Sequence, residues 1–499
     1  MSGDRTDRRG LARSGALGFA GAAASAGLGF ALTVVLARML GPAGSGVVTQ
    51  ATGVFAVVMG LTKVGLDSTS IYLLPRLRID APEQIRACLT FMAATTIGVS
   101  AATVLVLEAA APLIWSAREP EVAEAVRAVV WLVPLGSLAV VAAAALRAVG
   151  SMREYVVVQN IALPGSRPLL VAAAAALSGS LALVAVAWAL PFLVALVASW
   201  TLLLRRLPAS ASSARWPDAP RRREILSFAL PRTLTAGLEQ GLVWLDVLLV
   251  GALAGSAAAG VYAGASRFIQ AGLIVDTALR VVVSPRFSRL LHLGRLDELD
   301  RLYSTATTWL VLFATPIHIL MAVFAPALMR LLGDEFASGS AVLVVLCLGA
   351  VVTFLAGNIH SLLIMSGRSG WAAVNKAVVL VVNVVGNIVL VPRLGMIGAA
   401  AAWAACMVLD ALMAGVQVIA FTGLRPRIGR AVLPLLGGLV SVGAPSAVAA
   451  LIAGRDSFTG LLIGTAASAA CFALMCRVMR RPLHLSGLGA VFSARRDGG

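Results

Sequence analysis

A succession of apolar runs, each about twenty residues or more in length, occupies this chain from residue 15 to residue 479 and leaves it little choice of fold. Where a chain lies in hydrocarbon, no water is available to its peptide groups. Each run must therefore satisfy its own N–H and C=O groups, and that makes it an α-helix. The runs fall near 15–39, 47–72, 87–111, 127–148, 155–177, 181–204 and 225–251, then 258–283, 303–326, 339–365, 372–391, 396–421, 431–453 and 459–479. The predicted fold class is an all-α polytopic membrane protein of about 14 transmembrane helices. Composition agrees: 59% of the residues are hydrophobic and 13% charged, about half the charged share that a soluble surface of this size requires.

The charges that remain are unevenly placed. Arginines cluster in alternate connections, with Arg76, Arg78 and Arg86, then Arg147 and Arg153, then Arg205, Arg206, Arg215 and Arg221–Arg223. The alternation continues through Arg286, Arg289, Arg295 and Arg301, Arg368, and Arg425, Arg427 and Arg430, and ends in Arg477–Arg496. The intervening connections hold only Arg118, Arg330, Arg393 and Arg455, mostly beside acids. Basic loops stay on the cytoplasmic side, so both termini are expected there and the span count is even. The formal net charge of +17 then reflects topology; no segment offers a nucleic-acid-binding module. The first run is too long for a cleaved signal peptide and reads as a membrane helix. Cys88, Cys347, Cys406, Cys471 and Cys476 form no metal-binding or disulfide pattern.

The chain also repeats itself. Leu40, Gly46 and Val47 return as Leu253, Gly260 and Val261; Gly150 returns as Gly367; Ala187-Trp188-Ala189 returns as Ala402-Trp403-Ala404. The offsets are 260 − 46 = 214, 367 − 150 = 217 and 403 − 188 = 215. The expected plan is two six-helix lobes in a parallel pseudo-twofold repeat, plus two extra C-terminal helices. Its segments are a cytoplasmic tail 1–14, an N-lobe 15–204, a flexible cytoplasmic linker 205–224, a C-lobe 225–421, the last two helices within 431–479, and a tail 480–499.

An ionisable side chain inside a span is costly unless it faces a cavity or a partner, so these groups mark the candidate site. The seventh span carries Arg232, Glu239 and Asp246 at spacings of seven, which places them on one helix face. Lys63 and Asp67 lie four apart, as do Asp276 and Arg280, and either pair fits an ion pair along its helix. Arg267 lies in the eighth span, Arg167 in the fifth, and Lys376 in the eleventh beside Asn375, with Asn383 and Asn387 beyond. A polar cavity and internal pairing that fixes helix packing are both open to these groups. Glu108 and Asp410 fall on no visible stripe, and His318 and His360 read as packing residues. The sequence contains no phosphate-cradling Gly loop, nucleophile elbow or zinc-protease motif. No enzyme activity and no cofactor are expected.

Four stretches resemble the polysaccharide-exporter branch of the multidrug/oligosaccharidyl-lipid/polysaccharide flippase superfamily. They are Leu36-Ala37-Arg38-Met39-Leu40-Gly41-Pro42 with Gly46; Val64-Gly65-Leu66-Asp67 with Leu74-Pro75-Arg76; Asp246 with Gly260-Val261-Tyr262-Ala263 and Ser284-Pro285-Arg286; and Asn387 with Val391-Pro392-Arg393-Leu394-Gly395 and Gly398-Ala399-Ala400. The resemblance covers about residues 15–420 and implies a flippase of the bacterial cytoplasmic membrane. It would export an undecaprenyl-pyrophosphate-linked oligosaccharide for lipopolysaccharide, capsule or exopolysaccharide by ion-coupled alternating access. Expected partners are that lipid-linked oligosaccharide, membrane lipid and other polysaccharide-assembly proteins. On this reading Arg232, Arg267, Lys63, Arg167 and Lys376 attract the pyrophosphate. Glu239, Asp246, Asp67 and Asp276 are candidates to take the coupling H+ or Na+. The alternatives are a peptidoglycan-precursor flippase, a drug/cation antiporter, and a membrane-embedded polysaccharide polymerase or ligase. The first fits less well because 15–37 carries no charge, and the last because the external connections are short.

Overall fold

A computed structural model describes residues 2–114, 119–150, 152–207, 216–424, 429–480, 482–483 and 485, with side chains for all of these except 2–16, 19, 112–114 and 271. Among the described residues every regular element is helical. Eleven helices among these residues are long and apolar enough to cross a membrane, or thirteen if two bent pairs each count as one span. The first, Ala20–Thr62, has 43 residues, about twice what a bilayer core needs. It is broken at Gly41, whose φ of 64° and ψ of −174° are not helical. Counting its two halves separately is what the expected fourteen requires.

Prolines accompany three of the other irregularities. Pro120–Val130 and Val133–Val149 meet at 49° just before Pro134. The π-helical segments Val156–Ala162 and Leu439–Gly443 immediately precede Pro164 and Pro445. Proline has no N–H for the carbonyl four residues back, and its ring crowds that carbonyl. A wider turn just upstream relieves the conflict.

The chain divides into two compact units, Met1–Gly260 and Val261–Gly499. Of the expected linker, 208–215 lies outside the described residues, and Ala219 already begins the helix Ala219–Ala254. Arg118, Arg425, Arg427 and most of the tail 480–499 also lie outside them.

In the first unit, Ala219–Ala254 packs along Ser2–Thr62. Gly53 and Gly60, seven apart, lie on the contact face: a Cβ on Gly53 would lie 3.0 Å from the Trp244 ring and one on Gly60 2.6 Å from Gln240 Cγ. Lipid is as apolar as a leucine side chain, so helices associate by close packing of this kind. Beside this face Phe55 meets Trp188 edge-on at 5.5 Å and stacks on Phe192 at 5.6 Å.

One turn occurs twice in this unit. Gly41 (φ 64°, ψ −174°) and Gly255 (φ 89°, ψ 165°) share a conformation open to glycine alone, and 255 − 41 = 214. The contacts after them are reciprocal. A Cβ on Gly46 would lie 1.7 Å from Ser256 O, and one on Gly260 would lie 2.1 Å from Pro42 O; 256 − 42 and 260 − 46 are again 214. Residue i meeting j while the equivalent of j meets the equivalent of i is the pattern of a twofold contact. Polar bonds close this crossing. Gln50 Nε2 donates to Ser256 Oγ at 3.0 Å. Glu119 accepts from Ser256 N at 3.1 Å and also bonds its hydroxyl, which caps the helix Ser256–Gly272.

In the second unit, Leu296–Val323 is the central helix, with 67% of its most apolar stretch buried. It begins earlier than the apolar run because Asp297 and Glu298 suit a helix N-terminus. Ser369–Leu394 lies against Met396–Thr422 along a seam that buries Asn375, Asn383, Asn387, Cys406 and Asp410. Asn375 and Gln417 exchange two amide hydrogen bonds, 2.8 and 2.7 Å. Outside the spans, Arg330 bonds Asp456 at 2.6 Å and holds that carboxyl below its ordinary range.

Candidate functional site

In the first unit the chain kinks between Thr62 and Leu66, where Val64 has φ 51° and Gly65 φ 61°. A β-branched residue in the left-handed region is strained and persists only where its surroundings impose it. On either side of this kink Lys63 Nζ pairs with Asp67 Oδ2 at 2.6 Å. Asp67 Oδ1 is buried without a hydrogen bond. Gly65 backs directly onto the Ala219–Ala254 helix: a Cβ there would lie 2.7 Å from Arg232 Cβ and 2.5 Å from Ala229 O. The structure thus brings Lys63, Asp67 and Arg232, three sequence candidates from two expected spans, to one corner.

Ala219–Ala254 runs unbroken through Pro231, so Arg232, Glu239 and Asp246 do share a face. At 100° per residue that face lies roughly 100–180° from the one that Gly237, Gln240, Trp244 and Gly251 turn toward Ser2–Thr62. Arg232 and Glu239 are exposed, whereas Asp246 is buried. Arg167 sits elsewhere. Its guanidinium lies 4.0 Å from the Trp188 ring centre and 4.9 Å from that of Phe192, and its Nε donates to Trp188 O at 3.2 Å. That is a cation–π anchor for the aromatic core of the unit. Glu108, off any stripe in the sequence, accepts from Arg127 Nε at 2.7 Å.

In the second unit Arg267 donates to Gln270 Oε1 at 3.0 Å, and Arg280 pairs with Asp276. The densest cluster centres on Asp410, 3% exposed, whose Oδ2 receives Lys376 Nζ at 2.5 Å and lies 3.2 Å from His360 Nε2. Asp276 and Arg280 lie near enough for their charges to act on His360. Sequence reasoning singled out Lys376 and missed its partners, because Asp410 and His360 are isolated on their own helices. His318 is fully buried; its Nδ1 lies 2.8 Å from Ala314 O and its ring is edge-on to Phe354 at 5.0 Å. A packing role accounts for that geometry. Among the described residues no group of three or more His, Cys, Asp or Glu side chains suits a metal ion.

The two units therefore each hold a partly exposed set of cations paired to buried or half-buried carboxylates, within or beside helices long enough to span a bilayer. Such sets can hold an anion, exchange a proton, or both.

Comparison with known proteins follows the same line. A family described as polysaccharide biosynthesis protein matches residues 35–341, more than half of the chain. Among curated proteins, the probable low-salt glycan biosynthesis flippase Agl15 of Haloferax volcanii is 22% identical over 187 residues, 36% of this chain and 39% of that protein. The chain thus spans about two fifths of the length of the curated relative it matches. Among solved structures, the lipid II flippase MurJ in an inward closed conformation aligns with a TM-score of 0.71 at 13% identity, over 92% of this chain and 98% of that one. An inward-facing multidrug resistance MATE family transporter of the MOP superfamily aligns with a TM-score of 0.66 at 14% identity, over 80% and 95%. At these identities the likeness establishes the fold alone, a polytopic helical membrane fold shared with both.

Proposed function

The chain belongs to the polysaccharide biosynthesis protein family, and from that premise we propose that it is a membrane flippase for an undecaprenyl-pyrophosphate-linked oligosaccharide. It would act in the cytoplasmic membrane of a bacterium, with both termini inside, and deliver its substrate for assembly into surface polysaccharide. The family match carries this reading. The paired cations in the spans support it, since a lipid pyrophosphate needs positive charge on its path through the bilayer.

On this reading two six-helix lobes rock about a central cavity. The substrate enters from the cytoplasmic side, and Arg232, Arg267, Lys63 and Lys376 draw in its pyrophosphate. Arg167 contributes less, being engaged by Trp188 and Phe192. H+ or Na+ supplies the drive, with Glu239, Asp246, Asp67 and Asp276 as coupling carboxylates. For the seventh-span face, Glu239→Gln with Asp246→Asn is expected to reduce export at least tenfold at normal protein levels. Quantifying surface polysaccharide in cells carrying the double variant checks this, and full export there removes the assignment of those two residues.

The function itself is tested by deleting the gene. The expected result is undecaprenyl-linked oligosaccharide trapped on the cytoplasmic face and loss of surface polysaccharide. Intact polysaccharide with increased drug sensitivity would overturn it in favour of an antiporter, and loss of viability in favour of a peptidoglycan precursor as substrate. Oligosaccharide that reaches the outer face but is not lengthened would point to a polymerase or ligase.

A further inference from the structure

Asp410 stands between two nitrogens in an arrangement that fits exchange. Its Oδ2 accepts from Lys376 Nζ at 2.5 Å and lies 3.2 Å from His360 Nε2, while its Oδ1 is buried with no hydrogen bond. A carboxylate oxygen so enclosed is left costly and ready to accept another donor. The helices packed against Ile359–Met365, which carries His360, are Ile274–His292, Ser369–Leu394 and Met396–Thr422. The charged groups they turn toward His360 are Asp276 and Arg280, Lys376, and Asp410 respectively. With His360 neutral this set is balanced: Lys376 offsets Asp410 and Arg280 offsets Asp276. A proton on His360 leaves one uncompensated positive charge in a span, a state that an arriving anion relieves.

We propose that His360, Asp410 and Lys376 form a proton-linked anion site, in which a proton taken up by His360 transfers Asp410 from Lys376 to His360 and frees the Lys376 ammonium for a diester pyrophosphate. Protonated His360 carries a hydrogen on both ring nitrogens, so its Nε2–H can donate to Asp410 Oδ2, 3.2 Å away, whichever nitrogen the added proton joins. The only interaction broken is the Lys376 to Asp410 bond. Exposure fits the roles. Lys376 is 39% exposed and Asp410 3%, so the lysine head can turn outward while the carboxylate stays in place. Arg280, more than half exposed on Asp276, offers a second cation. Proton and anion then bind with positive coupling, each raising the affinity of the other by the same factor.

This inference rests on the flippase reading only for the identity of the anion, and its test does not depend on export. Purified protein in detergent is titrated with geranyl-pyrophosphoryl-N-acetylglucosamine, whose two phosphate diesters stay ionised across the range used. Affinity is expected to rise about tenfold from about pH 8 to about pH 6, with about one proton taken up per ligand. His360→Gln, which keeps a donor toward Asp410, is expected to abolish both the pH slope and the proton uptake. Asp410→Asn releases Lys376 permanently and is expected to bind tightly already at the higher pH. A residue that merely fixed packing would not produce that gain. A wild-type slope in His360→Gln, weaker binding in Asp410→Asn, or no binding of the probe by the wild-type protein overturns the proposal. Proton-linked binding in a protein whose deletion leaves polysaccharide intact would refute the proposed function and leave the site standing. Lost export together with an unaltered slope in His360→Gln would do the reverse.

Discussion

Gly46→Ala is expected to cost about 1–3 kcal/mol of stability and to reduce export at least tenfold, although it adds a single methyl group. The methyl carbon would lie 1.7 Å from Ser256 O and 2.7 Å from Ser256 C. Those are backbone atoms, so no side chain can swing aside. The two helices must part by roughly 1.5 Å before the contact becomes ordinary. Parting them also stretches the Gln50 to Ser256 bond and the Glu119 cap on the helix Ser256–Gly272. Gly260→Ala meets the mirror-image obstacle at Pro42 O and is expected to behave alike. Because both substitutions open one crossing, the double variant is expected to cost less than the sum of the two. Gly27→Ala is the control. It lies on the same helix with nothing within 4 Å of the new carbon, and there alanine is expected to be neutral or slightly stabilising. Thermal unfolding of the four proteins in detergent, read beside surface polysaccharide in complemented cells, checks the set. A Gly46→Ala protein as stable and active as Gly27→Ala would mean that the crossing is looser than the structure shows.

How much of this was visible in the sequence depends on the distance over which each feature is encoded. The spans were, because apolar length is a local property. So was the pairing of Lys63 with Asp67 and of Asp276 with Arg280, since four residues is one helical turn. The repeat drew attention to Gly46 and Gly260, yet nothing local says that the two touch. Their contact follows from the turns at Gly41 and Gly255, whose glycine-only geometry becomes evident only when φ and ψ are known. Asp410 was illegible for a similar reason. Its partners lie 34 and 50 residues upstream on two other helices, so no helical stripe on its own span announces it. Arg167 looked like a cation for a cavity because it lies in an apolar run. Its aromatic partners Trp188 and Phe192, on the next two helices, were not recognisable as such. Proline positions alone do not tell where a helix is disturbed: Pro231 leaves its helix unbroken, whereas a bend comes before Pro134 and π turns come before Pro164 and Pro445.

Of the charge substitutions, Lys376→Met is expected to be the most damaging to stability, at about 3–5 kcal/mol, and the order within its set carries the argument. Removing the lysine leaves Asp410, 3% exposed, without its one hydrogen-bond donor among the described residues and with only the His360 ring, 3.2 Å away, beside it. A carboxylate in that position can neither reach water nor move out of the helix seam. Asp410→Asn is the milder change. Lys376 is 39% exposed, and its flexible stem lets the released ammonium turn to a wetter place, while the neutral asparagine leaves no buried charge and its amide can still bond His360. The double variant Lys376→Met with Asp410→Asn removes both charges at once and is expected to recover most of the loss, because a well-packed neutral pair can match a buried ion pair. Unfolding midpoints in detergent are therefore expected to fall in the order Asp410→Asn and double variant above, Lys376→Met below. If Lys376→Met instead matched the wild type, Asp410 would have to be ionised without cost or already neutral. Its short bond to Lys376 would then be a consequence of packing, and the carboxylate would no longer anchor the seam between Ser369–Leu394 and Met396–Thr422.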